Sequence, residues 1–351
     1  MKSKENKIIE EDIIEISKEI PRKYFQNKTI LISGASGFLA SYLVKYFLYL
    51  NSLDSNQKTK VIGVVRNIEK AKDRFKAYLD DPMFKLFNHD INKKFDIEDS
   101  INFIIHAASQ ASPKYYKDDP VGTLKPNVLG TINLLDLSID KNLDAFLYFS
   151  SGEVYGNNNS KTIGENQYGV LDPVNIRSCY SESKRMGENI CISYGSQFGV
   201  NVKIVRPFHI YGPGMSLDDG RVYADFTRSL LNETDLIINS DGKAIRSFCY
   251  LKDATIGFLK VMLNGKIGYP YNIGNPNESY SIKELADILS KDSTDSPCNV
   301  IINQPQSKSY LKSNFSIHAP NIDRVEEIGW SPKTDIRKGF IRTVKSYKQI
   351  K

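Results

Sequence analysis

Residues 29–40 read Thr29-Ile30-Leu31-Ile32-Ser33-Gly34-Ala35-Ser36-Gly37-Phe38-Leu39-Ala40. The run 29–33 is short, β-branched and aliphatic, as a strand buried in a parallel sheet should be. Two glycines follow at once, and residues 41–50 then carry an amphipathic helical pattern. Strand, glycine turn and helix in that order form a dinucleotide-binding unit. Gly34 permits the tight turn, Gly37 lets the backbone approach a pyrophosphate, and Ala40 allows the helix to pack close on the strand. The helix N-terminus offers N–H donors to the anion. The spacing is G-x-x-G-x-x-A, not the G-x-G-x-x-G of many dehydrogenases.

Outward from this turn the chain alternates. Strands are predicted at 61–65, 84–87, 101–105, 145–149 and 202–205, and helices at 68–79, 120–139 and 177–198. Such βα alternation implies an α/β fold with a Rossmann-like, doubly wound parallel sheet. After Arg206 the pattern loosens into Pro- and Gly-rich segments with short elements, which predicts a smaller, mixed C-terminal substrate lobe. The expected division is an N-terminal helical extension at 1–27, a dinucleotide-binding domain at 28–206 plus about 245–264, and a substrate-binding lobe at 207–244 plus 265–351. In the extension, residues 5–20 alternate Ile and Glu at helical spacing, as a helix packing on the body or on a partner chain would.

Composition narrows the function. A chain of 351 residues can bury a full core, and its net charge of +6 is mild. Lys and Glu are scattered without a basic block, which argues against nucleic acid and leaves room for a basic pocket that takes a nucleotide diphosphate. Cys179, Cys191, Cys249 and Cys298 show no C-x-x-C spacing, so free thiols in a reducing compartment are expected, with no metal and no disulfide. No apolar run is long enough to span a membrane, and the N-terminal residues lack a secretory apolar core, which points to the cytoplasm.

Two further segments carry chemistry. Tyr180 and Lys184 lie four residues apart, on one face of the helix predicted over 177–198. A phenol loses its proton near pH ~10. A neighbouring ammonium lowers that value and makes a general base. Phe149-Ser150-Ser151-Gly152-Glu153 lies at the C-terminal end of a predicted strand, where open α/β sheets bind ligands. The Ser151 hydroxyl can bond a substrate hydroxyl and the Tyr180 phenol together, and Glu153 places a carboxylate two residues on.

The glycine turn with Ser151, Tyr180 and Lys184 resembles the extended short-chain dehydrogenase/reductases, the NAD-dependent epimerase/dehydratase family that modifies nucleotide sugars. The resemblance spans about residues 28–345. The runs 106–113, 151–156, 177–185, 219–222, 246–250 and 271–275 look closest to UDP-glucuronate decarboxylases and dTDP-glucose 4,6-dehydratases. It implies that Tyr180 takes the proton of the sugar 4-hydroxyl as C4 is oxidised, that Lys184 holds the cofactor ribose and lowers the Tyr180 pKa, and that Ser151 positions the 4-oxygen. Glu153 then acts near C5 or orients the ring. Cofactor contacts are implied for Gly34, Ser36, Gly37, Phe38, Leu39, Arg66, Asp90, Ala107 and Ala108, as well as Tyr180 and Lys184. Substrate contacts are implied for Ser109, Ser151, His209, Arg221 and Arg246, the two arginines gripping the diphosphate. A homodimer built on two long helices per subunit is also implied.

Several residues depart from the family pattern. Gly152 stands where the dehydratases carry an acid and the decarboxylases a hydroxyl. His209 replaces a frequent Asn, Gly214 an Arg, and His318-Ala319-Pro320-Asn321 an Arg-x-Pro-Asp run. The second strand ends in Arg66 instead of the acid that usually meets an NAD ribose, so NADP stays open beside NAD. Three readings follow: a decarboxylase- or dehydratase-like lyase, a 4-epimerase or 4-oxidoreductase, and a non-catalytic nucleotide-binding scaffold. The resemblance favours the first.

Overall fold

The computed structural model describes residues 6–53, 58–158, 160–291, 298–303 and 317–349. Its large sheet holds β1 (Thr29–Ser33), β2 (Lys60–Val65), β3 (Phe84–Asn88), β4 (Phe103–His106), β5 (Ala145–Phe149) and β6 (Val202–Pro207). The short β7 (Ile210–Tyr211), β8 (Leu236–Ile238), β9 (Ile245–Ser247) and β10 (Cys249–Tyr250) come next, and β11 (Pro270–Ile273) returns to the large sheet. β12 (Ser279–Ser281), β13 (Val300–Ile302) and β14 (Ile317–His318) complete the set. Helices run as α1 (Lys7–Glu19), α2 (Phe38–Leu53), α3 (Ile68–Arg74), α4 (Lys114–Asp118), α5 (Pro120–Ser138), α6 (Ser178–Phe198), α7 (Val222–Asn232), α8 (Leu251–Asn264), α9 (Ile282–Lys291), α10 (Asp323–Glu326) and α11 (Ile336–Lys348).

The large sheet is ordered β3-β2-β1-β4-β5-β6-β11, and every pairing in it is parallel. Strand order therefore reverses between β1 and β4, and the crevice at their C-terminal ends is where such sheets take ligands. β1 and β5 are buried at every position, which is why they read as continuous apolar runs. The smaller assembly packs around Tyr223, Phe226, Leu285 and Phe340 and holds the three-stranded sheet β12-β9-β14.

Several boundaries move for physical reasons. The helix expected over 68–79 stops at Arg74, because Phe75 turns inward to pack edge-on against Phe84 at 5.2 Å. The strand expected over 101–105 begins at Phe103, since the Asn102 side chain accepts a hydrogen bond from the backbone N–H of Thr29 and fastens β1 instead. Pro270–Ile273, assigned by pattern to the substrate lobe, pairs with β6. Residues 245–247, assigned to the larger domain, pair with β12 and β14 in the smaller sheet. The stretch read as amphipathic, α2, is buried over nearly all its circumference.

The cover on α2 is the N-terminal extension. Glu5, the first residue of the helix expected there, lies outside the described residues; α1 itself packs on α2, α8 and α11. Ile9, Ile13 and Ile16 enter the main core. Asp12, fully buried on the same face, accepts from Tyr42 at 3.2 Å, Tyr250 at 2.7 Å and Arg342 at 2.7 Å. Replacing Asp12 by Ala leaves two phenols and a guanidinium short of an acceptor. Urea unfolding should show a loss of roughly 3–5 kcal/mol, the cost of breaking a buried pair; an unchanged midpoint would mean that α1 is only loosely attached.

Candidate active site

Three elements deliver the site. β5 ends at Phe149 and hands Ser150 and Ser151 to a one-turn 3-10 segment, Gly152–Tyr155. Ser151 caps that turn, its Oγ accepting from the Glu153 N–H at 3.2 Å. α6 then brings Tyr180 and Lys184 beneath the turn, both buried. Ser151 and Tyr180 share a hydrogen bond, and the Tyr180 ring stacks on Tyr116 at 5.1 Å.

The electrostatics differ from the sequence expectation in one respect. Burial pushes the Tyr180 phenol up to about 12, with Ser151 and Arg221 working in the opposite direction. Lys184 does not lower it in this state. Its ammonium lies 5.9 Å from the centre of the Tyr180 ring and donates instead to the Phe149 carbonyl at 2.6 Å. The same dehydration drives Lys184 down to about 7, Glu188 opposing. In a dry site, dehydration outweighs a charge several ångströms away.

Glu153 is not a loose carboxylate. Arg177 donates to it at 3.2 and 3.4 Å and Ser181 at 3.1 Å. Burial would raise its pKa, but the Arg177 guanidinium and these hydrogen bonds outweigh burial and hold it below the usual carboxylate value. Behind it, Arg206 grips Glu188 at 2.8 and 2.6 Å, and Ser150 Oγ donates to Glu188 at 2.5 Å.

The cofactor candidates gather around the β1–β4 crevice. Gly34 holds φ +64°, and a Cβ there would lie 2.6 Å from the Ala108 backbone. A Cβ on Gly37 would lie 2.9 Å from the Gly34 carbonyl. This cradle is open only because side chains are missing, which suits the close approach of a pyrophosphate. Ser36, Phe38 and Leu39 stand at the start of α2 with Ala107 and Ala108 opposite, all partly accessible. The residues therefore fit a dinucleotide. Arg66 is exposed just past β2, and Asp90, past β3, caps its own turn by accepting from the Asn92 N–H at 3.1 Å.

The substrate candidates lie nearby. Ser109 Oγ and His209 Nδ1 are buried polar atoms without a hydrogen-bond partner. His209 also holds φ +38°, a costly backbone for a non-glycine residue. Burial, with His318, Arg246 and Arg221 around it, keeps its ring neutral. Arg221 is paired with Asp219, and Arg246 donates to the Ile245 carbonyl at 2.7 Å.

The profile of the NAD dependent epimerase/dehydratase family matches residues 30–274. The chain belongs to this family. It is thus an NAD-dependent enzyme of the nucleotide-sugar group anticipated from its motifs. It is 36% identical over 322 residues to UDP-glucuronic acid decarboxylase 6 of Arabidopsis thaliana, covering 91% of this chain and 88% of that one. It is 32% identical to UDP-glucuronic acid decarboxylase 1 of Danio rerio, covering 91% and 72%. Its fold is similar to that of UDP-glucuronic acid 4-epimerase from Bacillus cereus, solved with UDP-glucuronic acid and NAD, at a TM-score of 0.77 and 23% identity over 92% of this chain and 100% of that one. The dTDP-glucose 4,6-dehydratase DesIV of Streptomyces venezuelae, solved with NAD, matches at a TM-score of 0.74 and 23% identity over 92% and 97%. Among the described residues no helix is long and apolar enough to cross a membrane, and no group of three or more His, Cys, Asp or Glu is placed to hold a metal.

Sequence reasoning overlooked Arg177, Ser181 and Tyr116. Arg177 and Glu153 are 24 residues apart, and no local pattern announces such a pair.

Two substitutions test the glycine cradle and the electrostatics. Gly34→Ala should weaken NAD binding at least tenfold by calorimetry, since a Cβ at positive φ drives into Ala108. Lys184→Met should remove a buried ammonium. A lysine with a lowered folded pKa destabilises fully below that value, and the penalty vanishes as pH rises towards the unfolded value. The melting temperature of Lys184→Met relative to the native chain should therefore be higher at pH 6 than at pH 9.5, with turnover lost. The reverse pH trend would show that Lys184 is not dehydrated as described.

Proposed function

We propose that this enzyme decarboxylates a nucleotide-linked hexuronate, UDP-glucuronate being the first candidate, by oxidation at C4 followed by loss of carbon dioxide from C5. The observation that carries the reading is the state of the two positions after Ser151. Eliminating water from a sugar needs an acid to protonate the departing hydroxyl. Position 152 is glycine, and Glu153 is held ionised by Arg177 and Ser181. Carbon dioxide leaves a β-keto acid without such a donor. Identity to the UDP-glucuronic acid decarboxylases over nine-tenths of the chain supports the same reading.

In this mechanism Ser151 holds the 4-oxygen and Tyr180 receives the 4-hydroxyl proton. Lys184, fixed by the Phe149 carbonyl, supplies positive charge under the phenol and holds a ribose. NAD, when bound on Gly34, Ser36, Gly37, Ala107 and Ala108, supplies the redox chemistry at C4. The Arg177–Glu153 pair orients the ring next to C5. Arg221 and Arg246 fit the diphosphate as guanidinium forks, and Ser109 and His209 offer unpartnered polar atoms to the sugar nucleotide. The smaller lobe, with residues 207–244 at its centre, receives that substrate. Carbon dioxide leaves neutral, its bonding electron pair stays on the 4-keto sugar as an enolate that takes up a proton at C5, and this cleavage of a carbon–carbon bond makes the reaction a lyase reaction. Absence of an acid at the end of β2 leaves Arg66 to meet the adenosine ribose, so some use of NADP accompanies NAD.

The assembly we propose is a cytoplasmic homodimer. Val121 and Leu129 on α5 and Met186 on α6 are exposed apolar side chains, and α5 packs directly on α6, so the helix pair offers apolar surface to a second copy.

The test is mass spectrometry of the protein with NAD and, separately, UDP-glucuronate, UDP-glucose and dTDP-glucose. Only the glucuronate should react, with loss of carbon dioxide. Loss of water from a glucose nucleotide, or an isomer of unchanged mass, would replace the proposal by dehydration or epimerisation. Tyr180→Phe should lower turnover by about 10²–10⁴-fold, the usual contribution of a positioned acid–base group, and a Tyr180→Phe enzyme of native activity would favour a scaffold. Glu153→Gln should be at least tenfold slower in a decarboxylase and nearly native in an epimerase.

A further inference from the structure

Two departures from the family pattern, Gly152 and His318, meet in space. They are 166 residues apart in sequence, yet His318 Nε2 lies 3.0 Å from the Gly152 carbonyl oxygen. A Cβ built on Gly152 would lie 2.8 Å from His318 Cε1 and 3.0 Å from its Nε2, with Phe208 Cε1 at 3.0 Å. The imidazole therefore fills the volume that a side chain at 152 would need. It enters from the smaller lobe on β14, which pairs with β9 so that His318 lies beside Arg246.

The ring is held from three sides. Phe208 packs against it at 4.6 Å with planes 32° apart. His209 meets it edge-on at 5.1 Å, with 88° between planes. The Gly152 carbonyl takes its Nε2–H, which fixes the proton on Nε2 in the neutral ring. Neutrality follows from burial and from Arg246 and Arg177 nearby, which bring the pKa to about 4 against the opposing pull of the Gly152 carbonyl and Glu153. A neutral imidazole at this depth makes no proton donor for a leaving hydroxyl. It does make a rigid, hydrogen-bonded wedge.

We infer that His318 is a positioning residue for the reaction, substituting across the lobes for the absent side chain at 152 and holding the Ser151–Glu153 turn in register through the Gly152 carbonyl. The inference rests on the sugar-oxidising reading of Ser151 and Glu153. Ser151 Oγ, bonded to Tyr180, and the Glu153 carboxylate, bonded to Arg177, flank the one backbone carbonyl that His318 holds. Releasing that carbonyl lets both groups drift, and small displacements of catalytic groups are costly in rate. Because the wedge comes from the smaller lobe, it also ties the catalytic turn to the part of the chain that receives the sugar nucleotide.

The experiment is a double-mutant cycle on the full chain with Gly152→Ala, His318→Ala and the pair combined, plus His318→Gln as the variant that keeps a donor. kcat and KM for UDP-glucuronate are measured alongside calorimetric affinity for UDP and for NADH, and the melting temperature. His318→Ala should lower kcat at least tenfold while KM and UDP affinity stay within about threefold. His318→Gln should recover part of kcat. Gly152→Ala alone should be impaired in both kcat and melting temperature, and the double variant should be better than the product of the single losses, because removing the imidazole makes room for the new methyl. Native kcat in His318→Ala, or losses that multiply independently, would overturn the inference. If the native chain turns over none of the nucleotide sugars, the proposed function fails on its own. The cycle is then read in melting temperature, where additive effects of Gly152→Ala and His318→Ala would show that the two positions are not coupled.

Discussion

The contact on which the rest depends is the approach of Gly34 to Ala108 across the β1–β4 switch. Two backbones meet there at a distance that no side chain permits. Ser33 reinforces it: its Oγ lies 2.7 Å from His106 Nδ1 and accepts from the Ala108 N–H at 3.3 Å. The hydrogen bonds tie the ends of two neighbouring strands, so the crevice has a fixed floor. Gly34, Ser36, Gly37, Phe38, Leu39, Ala107 and Ala108 are placed by this floor or by the start of α2 above it. One strand further along the sheet, the end of β5 delivers Ser151 at the same height. Sheet register therefore sets the distance between the cofactor cradle and Ser151, and α6 adds Tyr180 to it.

A second ordering principle is local neutralisation. Three of the guanidiniums in or beside the site have their own carboxylates: Arg177 with Glu153, Arg206 with Glu188, and Arg221 with Asp219. Taking such charges out of water is expensive, and the geometry has to be good to offset it. Arg206 shows how that is met: besides Glu188 it donates to the Tyr155 hydroxyl and to the Glu165 carbonyl, so no part of its fork is wasted. Arg177 ties the Glu153 carboxylate to the start of α6, and Arg206 ties Glu188 in the middle of α6 to the Tyr155 hydroxyl of the turn. The polar pairs work together with a small apolar cluster, in which Val154 and Tyr155 of the catalytic turn pack with Ile163 and Phe208.

Legibility in the sequence followed the range of the interaction. Local patterns were readable: the 29–33 run, the turn at Gly34 and the Tyr180/Lys184 spacing each act within one strand or helix, and the structure places them as their spacing requires. Pairings between distant residues were not readable. Nothing near Glu153 announces Arg177, and nothing near Gly152 announces His318. Both were visible in sequence only as a motif residue without a role and as a departure without a cause. The hidden burial of α2 has the same origin: its outer face looked exposed until α1 folded over it, with Asp12 as the buried acceptor. Electrostatic state was the least accessible, since Tyr180 and Lys184 have the spacing of a charge-coupled pair but sit too dry for that coupling to dominate.

That dryness has a mechanistic sense. Tyr180 near 12 and Lys184 near 7 are displaced in opposite directions by one cause, burial of a charge. Each displacement disfavours a lone ion and neither penalises a closely matched pair as strongly, because opposite charges attract more strongly where water is excluded. A phenolate here needs positive charge closer than the Lys184 ammonium, which stands 5.9 Å from the ring centre. The ammonium is already anchored on the Phe149 carbonyl, while the phenol is anchored on Ser151. Proton loss from Tyr180 then requires no movement of either side chain, only added positive charge nearby. The resting site keeps its base protonated and is poised to change state when its ligands bring that charge.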